Sequence, residues 1–221
     1  MAGALLFDFD GLILDTETTD FESWAHVYRE YGAELPRDLW QQAIGTDGSG
    51  FAPFAHLCEV TGCCLDEEET QAIRRPRRDE MVAALRPLPG VVDWIRAARE
   101  REMGVAVVSS SPDWWVEGHL ERVGLRSLFD FLMTIDRAEN AKPHPELYSR
   151  ALMEYGFEAD SAIAVEDSPN GVAAAKGAGI LCVAVPGPMT RNLCFDAADL
   201  VLESLAARPL EAVLRERGSR P

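Results

Sequence analysis

The sequence predicts an α/β fold: a doubly wound, Rossmann-like parallel sheet with an α-helical domain inserted after its first strand. Three observations carry this expectation. Short apolar runs alternate with helical patterns of about 10–15 residues, the rhythm of a parallel sheet crossed by helices. Each main run ends in a polar cluster, and ligands of doubly wound sheets bind beyond the C-terminal strand ends. Between residues 16 and 84 the alternation stops and no convincing buried strand is found.

In chain order, Ala4-Leu5-Leu6-Phe7 reads as a buried strand ending in the turn Asp8-Phe9-Asp10-Gly11. In the insertion, read as helical overall, Phe21 to Tyr31 is amphipathic, Leu39 to Ala43 is a short apolar-polar piece, and Phe51 to Val60 and Glu67 to Leu85 look helical. Its flanks, Asp15-Thr16 and Arg86-Pro87-Leu88-Pro89-Gly90, read as a hinge. The expected division is therefore a core of residues 1–15 and 86–221 and a cap of residues 16–85. In the core, Val91 to Arg101, Trp114 to Val123 and Pro145 to Tyr155 are helical patterns. Further apolar runs are Val105 to Val108, Phe131 to Ile135, Ala162 to Val165, Leu181 to Val185 and Leu200 to Leu202. Ser168-Pro169-Asn170 reads as an N-cap with Pro at the first helical position. The basic, polar tail Arg215 to Pro221 is expected to fray.

Composition excludes several functions. With 37 acidic and 21 basic residues the formal net charge is -16, so the overall field repels nucleic acid and anionic membrane. No apolar run is long enough for a bilayer, and the apolar start lacks the basic flank of a secretion signal. The five cysteines are odd in number and fit neither a zinc site nor a disulfide scaffold, which suits a cytoplasmic protein with reduced thiols. A monomer is expected. An anionic substrate would need positive charge supplied locally.

Four clusters carry the chemistry. Asp8 and Asp10, two apart, share a side of an extended chain, and a divalent cation would relieve their repulsion. A bare DxD is most often a solvated acidic loop; this one follows a buried strand directly. Ser109 ends the next core strand, where a hydroxyl and turn amides can hold phosphate oxygens. Lys142-Pro143 offers a point charge, although a lone Lys in a Pro-rich loop is usually solvated. Glu166-Asp167-Ser168 supplies hard oxygen ligands that suit magnesium, or acids that complement a helix N-terminus. All four lie in order, in or just before the loops at strand C-termini.

Together they resemble the haloacid dehalogenase superfamily along nearly the whole chain, through Asp8-Phe9-Asp10-Gly11-Leu12-Ile13-Leu14-Asp15, Ser109, Lys142 in its KPxPE pattern, and Glu166-Asp167-Ser168-Pro169-Asn170-Gly171. The likeness is nearest to the β-phosphoglucomutase-like and small-metabolite phosphatase branch. It implies Asp8 as nucleophile and Asp10 as general acid and base. It implies Mg2+ held by Asp8, the Asp10 carbonyl and Asp167, with Glu166 near or in the shell. Phosphoryl oxygens would meet Lys142, Ser109 and the backbone of Gly11 and Ser110. The implied substrate is a small phosphorylated metabolite, and one arginine of the cap, Arg77 or Arg78, is expected to face it.

Rival readings follow from the same motifs. A true haloacid dehalogenase lacks the second Asp of DxD. A phosphonatase needs a cap Lys, and residues 16–85 contain none. A receiver domain has no helical insertion after its first strand, and a catalytically idle relative is disfavoured by four undamaged motifs. A β-phosphoglucomutase couples closure to acid–base chemistry through a cap His; Asp20 occupies the corresponding place, and His26 faces another way on the helix. Ile44-Gly45-Thr46-Asp47-Gly48 likewise carries no basic residue where that branch holds a second phosphate. Hydrolysis is therefore expected over isomerisation.

Overall fold

The structure, a computed structural model, describes residues 3–46, 48 and 50–218; Asp47 of the cap loop and the last three residues of the tail lie outside it. Strands β1 (Ala4–Phe7), β2 (Gly104–Val108), β3 (Leu132–Met133), β4 (Ala162–Glu166), β5 (Leu181–Ala184) and β6 (Leu200–Val201) form one sheet. Their order is β3-β2-β1-β4-β5-β6. Neighbours run parallel throughout, with Leu6 opposite both Ala106 and Ala164.

The alternation along these strands sorts side chains by size. Leu5, Phe7, Val105, Val107, Ile163, Val165 and Val183 face one side. There they pack on helices α5 (Val91–Arg99), α6 (Asp113–Arg122) and α9 (Leu210–Gly218). Ala4, Leu6, Ala106, Ala162, Ala164 and Ala184 face the other, under α7 (Glu146–Tyr155) and α8 (Pro169–Gly177). Small residues on that face let the Ala-rich α8 approach closely. Full burial of a side chain such as Leu5 or Phe7 contributes about 1.5–3 kcal/mol.

From β1 the chain reaches β2 and β3 on one side, then crosses back to β4 on the other. This is the topological switch point, and it opens a crevice at the C-terminal end of β1. Asp8, Ser109 and Glu166 all arrive at that edge. Ser168 caps α8 as expected, accepting from the Gly171 amide at 3.1 Å, with Pro169 beginning the helix.

The regular elements among the insertion's described residues are all helices: α1 (Thr16–Glu30), α2 (Arg37–Ala43), α3 (Pro53–Thr61) and α4 (Glu67–Ala84). Trp24, Val27, Tyr28, Trp40 and Leu57 give it an apolar centre of its own, which Met189 of the core also joins. The two connections run side by side, the Leu88 amide donating to the Ile13 carbonyl at 2.9 Å. The loop after α2 rests on the sheet edge. Asn170 Nδ2 donates to the Ile44 carbonyl at 2.8 Å, and Ser110 Oγ to the Gly45 carbonyl at 3.2 Å. Gly45 has φ +80°, and a Cβ there would stand 2.3 Å from Ser168 Oγ, so this contact needs glycine.

Two local expectations are corrected. The run Phe131 to Ile135 is strand only at Leu132–Met133. Thr134 Oγ1 then donates to Asp113 at 2.6 Å, and the chain tightens into a short 3-10 turn at Ile135–Arg137. The tail stays helical to Gly218 because Leu210 and Val213 bury against the core and Arg208 pairs with Glu216.

Candidate active site

Asp8 follows β1 and is held by its amide, which donates to the Val165 carbonyl at 2.9 Å. Its carboxylate meets Lys142, only 2% exposed, at 2.6 Å. The same ammonium donates to Glu166 Oε1 at 2.7 Å and to the Val108 carbonyl at 2.8 Å. All three of its protons are thus committed. Burial alone would depress the Lys142 pKa, but the charges of Asp8 and Glu166 hold it above its usual range. Burial, then the Glu166 charge, pushes the Asp8 pKa up to about 8 against the pull of Lys142. Tyr148 donates its hydroxyl to Glu166 Oε1 as well.

Asp8, Glu166 and Asp167 bring carboxylate oxygens within 4.8 Å of one another, all buried. Two of the buried oxygens, Glu166 Oε2 and Asp167 Oδ1, have no hydrogen-bond partner. Burial and the neighbouring charges of Asp8 and Glu17 raise the Asp167 pKa well above the carboxylate range. Three buried acids, two of them with orphaned hard oxygens, and one cation between them fit a small divalent ion. Of the acids expected to hold a metal, the fold brings Asp8, Glu166 and Asp167 together. The Asp10 side chain stands outside this cluster.

Asp10 is instead held by three donors. Its Oδ1 accepts from Thr16 Oγ1 at 2.7 Å and from Trp115 Nε1 at 2.8 Å, and its Oδ2 from Ser111 Oγ at 2.6 Å. Ser109 is buried, and its Oγ accepts from the Ser111 amide at 3.0 Å. Ser110 accepts from the Lys142 amide at 3.2 Å besides reaching Gly45. The expected role of the Gly11 backbone is corrected. Its amide already donates to the Leu14 carbonyl at 2.8 Å and is not free for a phosphoryl oxygen. With φ +77°, Gly11 makes the turn, and its missing Cβ leaves room for Asp167 Oδ2, which would be 2.2 Å away.

Above these groups lies a cavity of about 400 Å³ between the helical insertion and the sheet. Glu17, Asp20, Trp24, Trp40, Arg78 and Trp115 are among its walls. Arg78 lies with its guanidinium 5.6 Å from the Trp115 ring centre. Arg77 is exposed and lines no part of the cavity, which corrects that half of the expectation. Thr70, Arg74 and Val82 are buried and Arg78 half-buried, so one stripe of α4, four residues apart, faces inward and Arg77 falls off it. Arg74 is spent structurally, on Asp20 at 2.7 Å and on Ser23 Oγ at 3.0 Å. Tyr148, Trp115, Thr16, Ser111 and Glu17 are missed by sequence reasoning. For Tyr148 and Trp115 no local signal exists.

This constellation matches haloacid dehalogenase-like hydrolases across residues 5–185. The chain belongs to that family. Within it the hydrolase stands in the β-phosphoglucomutase-like branch: it superposes on a Thermotoga maritima structure of that type at 25% identity with a TM-score of 0.77, covering 98% of this chain and 99% of that one. It is 42% identical over 214 residues to YhcW of Bacillus subtilis, a protein described provisionally as a phosphatase, covering 97% of each chain. It is 32% identical over 187 residues to the fructose-1-phosphate phosphatase YqaB of Escherichia coli, covering 82% of this chain and 95% of the relative. Among the described residues of the hydrolase no helix is long and apolar enough to cross a membrane.

Proposed function

We propose that this hydrolase is a Mg2+-dependent phosphatase that dephosphorylates a small phosphorylated sugar or polyol through an aspartyl-phosphate on Asp8. The observation that carries the reading is the buried set Asp8–Lys142–Glu166–Asp167 beneath the cavity, with Asp10 beside it. The chain is a phosphoric monoester hydrolase, as its family and phosphatase-named relatives support. The sugar assignment draws on the substrate named for YqaB and on a cavity walled by aromatic rings, carboxylates and an arginine.

A carboxylate oxygen of Asp8 forms a bond to phosphorus while the ester P–O bond breaks, and Asp10 delivers a proton to the departing oxygen. Asp10 then takes a proton from water as the water oxygen attacks phosphorus, the Asp8–phosphorus bond breaks and phosphate leaves. Lys142 neutralises the transferring oxygens through its charge beside Asp8, and the Ser109 hydroxyl orients them. Asp8, Asp167 and Glu166 would hold Mg2+, which supplies charge neutralisation for the phosphoryl group. Arg78 meets the part of the substrate beyond the phosphate.

Isomerisation is disfavoured because Asp20, at the place of a mutase's cap His, is bound into the Arg74 ion pair. A panel of sugar phosphates, polyol phosphates, nucleotides and phospho-acids tests the substrate class. Release of phosphate from a sugar or polyol phosphate well ahead of the other classes is expected, and a preference for nucleotides would overturn it. Offering β-glucose 1-phosphate with a trace of the bisphosphate separates hydrolase from mutase. Fast glucose 6-phosphate formation without free phosphate would favour the mutase.

Residues 16–85 act as a lid on the core of 1–15 and 86–221, opening for exchange and closing to exclude water. The contacts of Ile44 and Gly45 with Asn170 and Ser110 are the closed latch. Amide exchange around residues 44–46 should slow on adding vanadate with Mg2+. Identical protection in both states would remove the lid from the mechanism.

A further inference from the structure

Trp115 belongs to no motif, yet it touches Asp10, which the proposed reaction uses twice. It stands in the first turn of α6, half-buried, with its indole N–H 2.8 Å from Asp10 Oδ1. The ring is fixed on two sides. His119, one turn on, packs perpendicular to it with centroids 4.2 Å apart, and that imidazole stacks in turn on Phe9. Arg78 of α4 lies over it from the insertion. An N–H held by such packing is a preorganised donor, and an indole can only donate.

The other two partners of Asp10 differ in kind. The hydroxyls of Thr16 and Ser111 donate in one rotamer and accept in another. Oδ1 carries the Thr16 and Trp115 donors, while Oδ2 carries only Ser111. Oδ1 is therefore the doubly held oxygen, and Oδ2 the one whose single partner, a rotatable hydroxyl, can turn away.

We propose that Trp115 is the positioning residue of Asp10: its N–H pins Oδ1, so that Oδ2 is the oxygen that gives the proton to the leaving group and takes it from water. This rests on the reading of Asp10 as general acid and base. Because Arg78 comes from the insertion, closure of residues 16–85 completes the seat of the indole.

Trp115→Phe keeps an aromatic ring between His119 and Arg78 and removes the N–H along with one of the two fused rings. With saturating Mg2+, turnover is measured on an alkyl phosphate and a series of aryl phosphates of falling leaving-group pKa, beside Asp10→Asn. Losing one hydrogen bond to a charged acceptor should lower kcat for the alkyl phosphate about tenfold. The best aryl leaving groups should fall by less than about twofold, because they need little proton help. KM should stay near that of the parent. A uniform fall along the series, or none, overturns the positioning role while a steep Asp10→Asn series leaves the acid assignment standing. A flat Asp10→Asn series overturns both.

A second measurement does not depend on turnover. The indole proton resonance lost in Trp115→Phe or Trp115→Tyr should move upfield in Asp10→Ala, where its acceptor is gone. An unmoved resonance would overturn the proposal.

Discussion

Asp8→Asn is expected to abolish phosphate release while the chain folds normally. Removing an enzyme nucleophile costs on the order of 10⁶-fold in turnover, and nothing else in this pocket replaces it. The other buried carboxylates, Glu166 and Asp167, sit at the end of β4 and just after it, and Glu166 is tied to Lys142 and Tyr148. The fold should survive because the amide oxygen of Asn still accepts from Lys142 and one charge leaves a crowded acidic cluster. Excess chelator should also silence the parent, and Mg2+ should restore it. Circular dichroism and a melting curve establish folding, and single-turnover assays with labelled phosphate ester establish the chemistry. Phosphate release by folded Asp8→Asn, or by parent enzyme in excess chelator, would sink the mechanism.

Lys142→Met should have the largest effect on stability. The ammonium is the one cation that contacts the buried acids Asp8 and Glu166 in the described structure. Methionine fills similar space but leaves both carboxylates uncompensated. Breaking a buried ion pair from one side costs about 3–5 kcal/mol. For a chain of this size that lowers Tm by roughly 6–20 °C. Urea titration of parent and variant, both with chelator, measures it. Adding Mg2+ should then recover part of the loss, since a ligand of the folded state at about a hundredfold its Kd adds about 2.7 kcal/mol. A variant as stable as the parent would show that the cluster does not need the ammonium. A variant whose stability ignores Mg2+ would remove the metal from these residues.

Much of this protein is written locally. Ala4-Leu5-Leu6-Phe7 is a strand because four consecutive apolar residues can be buried only between two helical layers, and its end delivers Asp8 whatever the rest does. The cap Ser168-Pro169, the strandless stretch from 16 to 84 and the polar clusters after each main run are likewise properties of short segments. They carry the fold class and the residues Asp8, Asp10, Lys142, Glu166 and Asp167.

Tertiary structure alone decided what those residues touch. Lys142 reads as a solvated loop lysine until the sheet order places it against Asp8, 134 positions away. Trp115 lies 105 positions from the carboxylate it holds. Gly11 has the right chemistry for binding an oxyanion, but its amide is spent on Leu14, and only the folded turn reveals this. Arg78 was separable from Arg77 in principle, since the stripe Thr70, Arg74, Arg78, Val82 already follows the helical period. Which arginine of that stripe stays available to a substrate was not, because Arg74 is consumed by Asp20 and Ser23 on a different helix. Backbone propensity and apolar period act over a few residues and are legible there. Hydrogen-bond partners at a switch point are set by which strands become neighbours, a choice made by the whole chain.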